Sequence, residues 1–155
     1  MFIQPLRYTA LSILILSISL LTGCAVNRAT ATVDPSANLG NIKTIHVNKF
    51  GPDKHALDTL IADKAKSMGL TAATGDTPAA NTDAVITYID KWMWDITMYM
   101  IELTIQVRDP KTGFTLAVGN SFHTSLTRKS PTEMVDEVMT NIFKGVSQNA
   151  KQAAN

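Results

Sequence analysis

Few residues in this chain have the type and spacing needed for chemistry. His46, His55 and His123 fall in separate stretches, without the HExxH or HxH spacing that lets two imidazoles of one element reach one ion, so no metal site is expected. There is no G-x-S-x-G elbow, no G-x-x-x-x-G-K-[ST] phosphate cradle and no G-x-G-x-x-G turn, which removes the hydrolase and nucleotide-binding templates. Asp90 and Asp95 flank Trp92 and Trp94, and paired carboxylates beside aromatics can bind or hydrolyse sugars. Here they read instead as a strand end in water. No enzymatic activity is expected, and the remaining reactive group is Cys24.

Cys24 is the single cysteine, so the chain can form no internal disulfide. Ahead of it Arg7 and the initiator amine make a short cationic region, followed by a twelve-residue apolar run from Ala10 to Leu21 relieved by Ser12, Ser17 and Ser19. This is the layout of a signal peptide. A permanent span needs roughly 20 apolar residues to cross about 30 Å of hydrocarbon, and the run falls short of that.

The junction Leu21-Thr22-Gly23-Cys24 resembles the bacterial lipobox at all four of its positions. In that family the cysteine thiol is joined to diacylglycerol, the bond before it is cut, and the freed amine is acylated. The resemblance implies a signal peptide over residues 1–23, cleavage between Gly23 and Cys24, and lipidation of Cys24 with diacylglycerol and an N-acyl chain such as palmitate. No other cofactor is expected. Each buried methylene contributes about 0.8 kcal/mol, so two or three chains hold a protein firmly at a bilayer. Ala25 stands where, by resemblance to enterobacterial lipoproteins, an Asp would retain the protein at the inner membrane. The expected location is the outer membrane, facing the periplasm. Loss of residues 1–23 removes Arg7 and leaves 13 basic against 13 acidic residues, so no basic field points to nucleic acid.

The elements that would position any site follow from periodicity. Residues 24–41 mix small and polar types with Pro35 and Gly40, and read as a lipidated N-terminus on a flexible tether of roughly 20 to 25 Å. One α/β domain is expected over residues 42–147, with a polar tail over 148–155. Ile42 to Phe50 suits a short strand. Asp53 can cap a helix carrying Leu57, Leu60, Ile61, Ala65 and Met68, closed by Gly69. Thr71 to Thr82 reads as a loop whose first residues can start a short strand. Three strands then follow, Ala84–Trp94, a period-two run through Tyr99, Ile101, Leu103, Ile105 and Val107, and Phe114–Thr124, with turns at Asp95–Thr97 and Asp109–Gly113. Ser130-Pro131-Thr132-Glu133 is a capping box opening a last helix, whose stripe includes Met134, Val138 and Phe143. That stripe reads as a core contact ahead of an oligomer seam. The fold class expected is α+β: strand, helix, three-strand meander, helix, with a four-stranded, mostly antiparallel sheet and two helices packed on one face.

The densest apolar patch of the mature chain is Trp92 to Met100, and strict alternation cannot bury all of it. Either Met98 and Met100 face outward as an adaptable surface, or a bulge lets both sets pack under the final helix. The run from Asp83 to Leu126, with the helices around it, resembles small Gram-negative outer-membrane lipoproteins of unassigned function. It is similar, more remotely, to the α/β domain of curli-secretion, polysaccharide-export and lipopolysaccharide-assembly lipoproteins. The resemblance implies a lipid-anchored, non-enzymatic accessory or adaptor subunit that docks on an envelope assembly or export machine or oligomerises around it. Trp92, Trp94, Met98 and Met100 are the expected partner-binding residues. The alternative use of the same hairpin is as the ligand surface of a lipid- or glycan-binding carrier or sensor.

Overall fold

The computed structural model describes residues 27–51 and 53–152, the last eight of these as backbone. Cys24 and the expected signal peptide lie outside the described residues. The strands are β1 (Asn27–Val33), β2 (Thr44–Asn48), β3 (Thr71–Gly75), β4 (Ala84–Asp95), β5 (Thr97–Arg108) and β6 (Thr115–His123). The helices are α1 (Leu57–Ser67) and α2 (Pro131–Gln152), with single 3-10 turns at Leu39–Asn41 and Ser125–Thr127.

The expected four-stranded, mostly antiparallel sheet is overturned. The sheet has six strands in the order β1-β6-β5-β4-β2-β3 and is mixed, since β2 runs parallel to both β4 and β3 while the other pairs are antiparallel. Both additional strands are edges. β1 forms from the stretch expected to be flexible tether, and β3 from the stretch expected to be mostly loop. Neither has an apolar stripe of its own, and each is held by the ladder of its single neighbour. The parallel β2–β3 pair follows from α1 between them, because parallel neighbours need a crossover and cannot be joined by a tight turn. The chain then passes over β2 to reach β4, tied there by the Asp83 carboxylate, which accepts the N–H groups of Lys43 (2.9 Å) and Thr44 (2.8 Å) and the Thr44 hydroxyl.

Local signals place the helices. Asp53 Oδ2 accepts the N–H of Leu57 at 2.7 Å, capping α1 from four residues away, and Gly69 at φ +87° lets Leu70 N–H turn back to the Ala65 carbonyl. At α2 the capping box is reciprocal: Ser130 N–H donates to Glu133 Oε2 at 2.8 Å and Glu133 N–H to Ser130 Oγ at 3.3 Å. The backbone of α2 runs on to Gln152, into the stretch expected to be a polar tail.

The core lies between the two helices and one face of the sheet. Leu103, Ile105 and Val107 of β5 meet Met134, Val138 and Ile142 of α2, all fully buried, each burial stabilising by about 1.5–3 kcal/mol. Met134, Val138 and Phe143 are therefore core, as the stripe suggested. Gly119 of β6 lies directly under α2; a Cβ there would come within 2.6 Å of Val138 Cγ1 and 2.9 Å of Ile142. The missing side chain of Gly119 lets the helix lie close to the sheet.

Candidate functional site

The residues singled out for binding sit on the β4–β5 hairpin, whose outer half runs past the rest of the sheet. β5 residues Thr97 to Ile101 precede Glu102, the first with a partner on β6. Within this overhang the register shifts between Lys91 and Trp92: Lys91 faces Glu102, but Trp92 faces Met100, leaving Ile101 as the extra residue of a bulge. The bulge reverses the facing of the β5 residues beyond it, while the alternation of β4 continues unbroken. Met100, not Ile101, joins Leu103 and Ile105 in the core at 1% exposure, so Met100 is removed from the expected binding surface. Tyr99 falls on the other face, buried beneath the Arg128 guanidinium, 4.3 Å above its ring.

Trp92 is half-buried against the core. Its indole stacks on His55 with centroids 3.7 Å apart at 19°, and its Nε1 donates to Asp90. The loop that carries His55 is tied down by Asp53, which accepts the N–H groups of His55, Leu57 and Asp58 and the Tyr88 hydroxyl (2.7 Å). Burial raises the Asp53 carboxyl, but those four donors outweigh it and hold it below its usual value; burial and the same contact push the Tyr88 phenol up. With one indole face occupied and its N–H committed, Trp92 is a structural part of the hairpin root.

Beyond it the hairpin is bare. Trp94 is 69% exposed and faces Met98, itself 56% exposed, across the ladder. Between the strands stands Ile96 alone, 87% exposed at φ +61°, a left-handed conformation that is unfavourable for a β-branched residue. Arg128 fastens the tip to the turn after β6, donating to Thr97 Oγ1 (2.9 Å), the Asp95 carbonyl (2.9 Å) and Asp95 Oδ2 (3.1 Å). That turn carries Leu126, also almost fully exposed. Asp90 and Asp95 thus serve separate partners, Trp92 and Arg128.

The histidines are dispersed. His46, buried in β2, contacts the Gly75 carbonyl at 3.1 Å; His55 stacks on Trp92; His123, fully buried on β6, contacts Glu137 at 2.8 Å. The last pair belongs to a polar cluster that periodicity does not reveal. Glu137 of α2 also accepts from the Ser121 hydroxyl at 2.6 Å and from Lys129. Burial raises the Glu137 carboxyl, yet the three donors Lys129, Ser121 and His123 outweigh it and bring it down to about 2. Ser121 donates to the carboxylate and has no bond to the imidazole, so the trio lacks the hydroxyl-to-base contact of a nucleophilic triad. Its effect is to pin α2 to β6. Inward alternation from Ala117 and Gly119 was the one signal that could have placed Ser121 and His123 beneath the helix.

On the face away from the helices, Lys91 pairs with Glu102 (2.7 Å), and Asn120 bridges Glu102 and Thr104 at 2.9 Å each. Those contacts hold the Glu102 carboxyl below its usual value. Ile89 and Met93 are exposed on this face.

No protein-family model and no curated protein matches the chain. Among solved structures it is similar to PelC from Paraburkholderia phytofirmans, seen as a dodecamer in two crystal forms, at 15% identity and TM-score 0.54 over 76% of this chain and 98% of that one. A PDZ domain protein from Parabacteroides distasonis (15% identity, TM-score 0.48, 70% of this chain and 32% of that one) and a minor lipoprotein from Acinetobacter baumannii (15%, 0.35, 70% and 95%) are more distant in shape. The likeness to PelC is one of fold.

Proposed function

We propose that the mature protein is a lipid-anchored, periplasm-facing accessory lipoprotein of the outer membrane that works by surface contact and without catalysis. Its role on this reading is that of an adaptor, docking on an envelope assembly or export machine or on further copies of itself. The observation that carries the reading is the form of its exposed apolar surface. Ile89 and Met93 stand exposed on the sheet face that no helix covers, whereas the groove along α2 is open and lined by polar groups such as Lys129, Glu133, Asp136 and Glu137. An exposed sheet face suits contact with another protein surface; a carrier encloses its ligand in a largely apolar pocket. The PelC fold in a dodecamer supports the self-association variant.

Site-specific photocrosslinking in cells tests the protein contact. A photoreactive residue at Ile89, on the helix-free face, should give a discrete adduct, either with one envelope protein or with a second copy of the chain. No adduct from Ile89 or from Met93 would remove the adaptor reading. Replacement of Cys24 by Ser tests the anchor: it should abolish incorporation of labelled palmitate and leave an unprocessed precursor.

A further inference from the structure

The sheet register brings three separate features to one end of the molecule. β1 starts at Asn27, opposite His123, the last residue of β6. β6 ends beside the base of the hairpin overhang, and β1 lies two strand widths, about 10 Å, from β5. The hairpin tip projects about 15 Å farther in the same direction, five residues at ~3.3 Å each. The Ser125–Thr127 turn that follows β6 is at this end too, clasped to the tip by Arg128. The opposite end of the meander carries the Asp109–Gly113 turn and Phe114.

Two residues, Ala25 and Val26, separate Cys24 from β1 in the sequence, a stretch of chain that can span at most about 11 Å. A lipid on Cys24 therefore fixes the bilayer next to the end of the sheet where Trp94, Ile96, Met98 and Leu126 are exposed. Their chemistry suits that boundary. Tryptophan concentrates at the level of lipid headgroups, and the one carboxylate at the tip, Asp95, is neutralised by Arg128. At the base of the overhang Arg28 supplies a further cation, while Lys91 is paired with Glu102.

We propose that the hairpin tip, Trp94 to Met98 with Leu126 beside it, rests in the headgroup and upper acyl region of the same leaflet that holds the Cys24 lipid, as a second, non-covalent anchor. The two contacts together fix the orientation of the domain, turning the Asp109–Gly113 end toward the periplasm and leaving the helix-free sheet face for protein contact. Ile96 explains itself on this account. Glycine or asparagine would occupy its left-handed turn without strain, and the apolar side chain is kept for the lipid.

The inference rests on lipidation of Cys24, and its test separates the two. Full-length protein is purified in detergent, its acyl mass confirmed, and reconstituted into vesicles of phosphatidylethanolamine and phosphatidylglycerol brominated near the top of the acyl chains. In the Trp92→Phe variant, whose emission comes from Trp94, bromine should remove most of the fluorescence. In the Trp94→Phe variant it should remove little. A tryptophan introduced by Phe114→Trp in the doubly substituted chain should be unaffected. If Trp92→Phe fails to fold, the difference between wild type and Trp94→Phe gives the same reading. Acylated protein in which Trp94 is quenched no more than residue 114 overturns the inference and leaves the lipoprotein reading intact. So does a photocrosslink from Met98 to a second copy or another protein in place of lipid. Absence of the acyl mass removes both.

Discussion

The β6–α2 contact and the β4–β5 tip are built from similar residue types, methionine, isoleucine and small or aromatic neighbours, yet to opposite ends. Under α2 Leu103, Ile105, Met134, Val138 and Ile142 are fully covered, Gly119 opens room for the helix, and the polar groups Ser121 and His123 are drawn to Glu137. At the tip the apolar side chains are bare and a β-branched residue is held in a left-handed turn. The bulge at Ile101 is the boundary between these two regimes, since it delivers Met100 to the core while leaving Met98 outside. Residue type alone does not separate a core from a contact surface; register relative to the helices does.

If that division is real, substitutions on the two sides should differ in size and then in sign. The largest loss is expected for Leu103→Ala, at a fully buried position in the centre of β5, about 2–5 kcal/mol, read as a lowered urea midpoint. Gly119→Ala comes next. The added methyl meets Val138 and Ile142 well inside contact distance, and overpacking of this kind costs about 1–3 kcal/mol. An unchanged midpoint for Gly119→Ala would mean that α2 can lift from the sheet freely, and the comparison would lose its rigid side.

Much of that rigid side was legible from local chemistry. The Gly69 turn, the Ser130–Glu133 box and the Asp109–Gly113 turn each depend on residues within a few positions of one another, and all form as their types require. β1 was missed, and β3 was legible only as a possible strand start to a loop, because an edge strand such as Asn27–Val33, made of small and polar residues, owes its existence to hydrogen bonds from a neighbour distant in sequence. The bulge was open to question for a related reason: Tyr99 to Val107 alternates without interruption in the sequence, and the slip at Ile101, which puts Met100 in the core, shows only in the pairing of β4 with β5. At the candidate site, Trp94 and Met98 are exposed because the hairpin overhangs the rest of the sheet, and the fates of Trp92 and Met100 are set by the loop carrying His55 and by the bulge, none of which alternation along one strand encodes.

The Glu137 cluster gives the comparison a pH axis. Its carboxyl stands at about 2 in the folded protein against an ordinary 4.5, so its charge contributes stability that is fully present above pH 4.5 and is lost as pH falls toward 2. Other carboxylates held low, such as Asp53 and Glu133, slope in the same direction, so the contribution of Glu137 is the difference between wild type and Glu137→Gln. The destabilisation caused by that substitution should be constant at neutral pH and shrink across the window from 4.5 to 2, measured by urea unfolding at a series of pH values. A difference that stays constant through this range would show that the carboxylate charge does not hold α2 to β6.

The smallest effect expected is also the most discriminating, because its sign is reversed. At φ +61° Ile96 pays for a conformation that asparagine adopts readily, and with 87% of its surface exposed it has little packing to lose. Ile96→Asn should therefore raise stability by up to about 1 kcal/mol, the gain from relieving one left-handed β-branched residue. The same change withdraws the most projecting apolar group from the tip, so bromine quenching of Trp94 in vesicles should weaken as the urea midpoint rises. Stability and membrane contact moving in opposite directions is what separates a presenting surface from a core. If Ile96→Asn instead lowered stability while leaving the quenching untouched, the isoleucine would be a packing residue and the tip would belong with the β6–α2 contact, a part of what holds the fold.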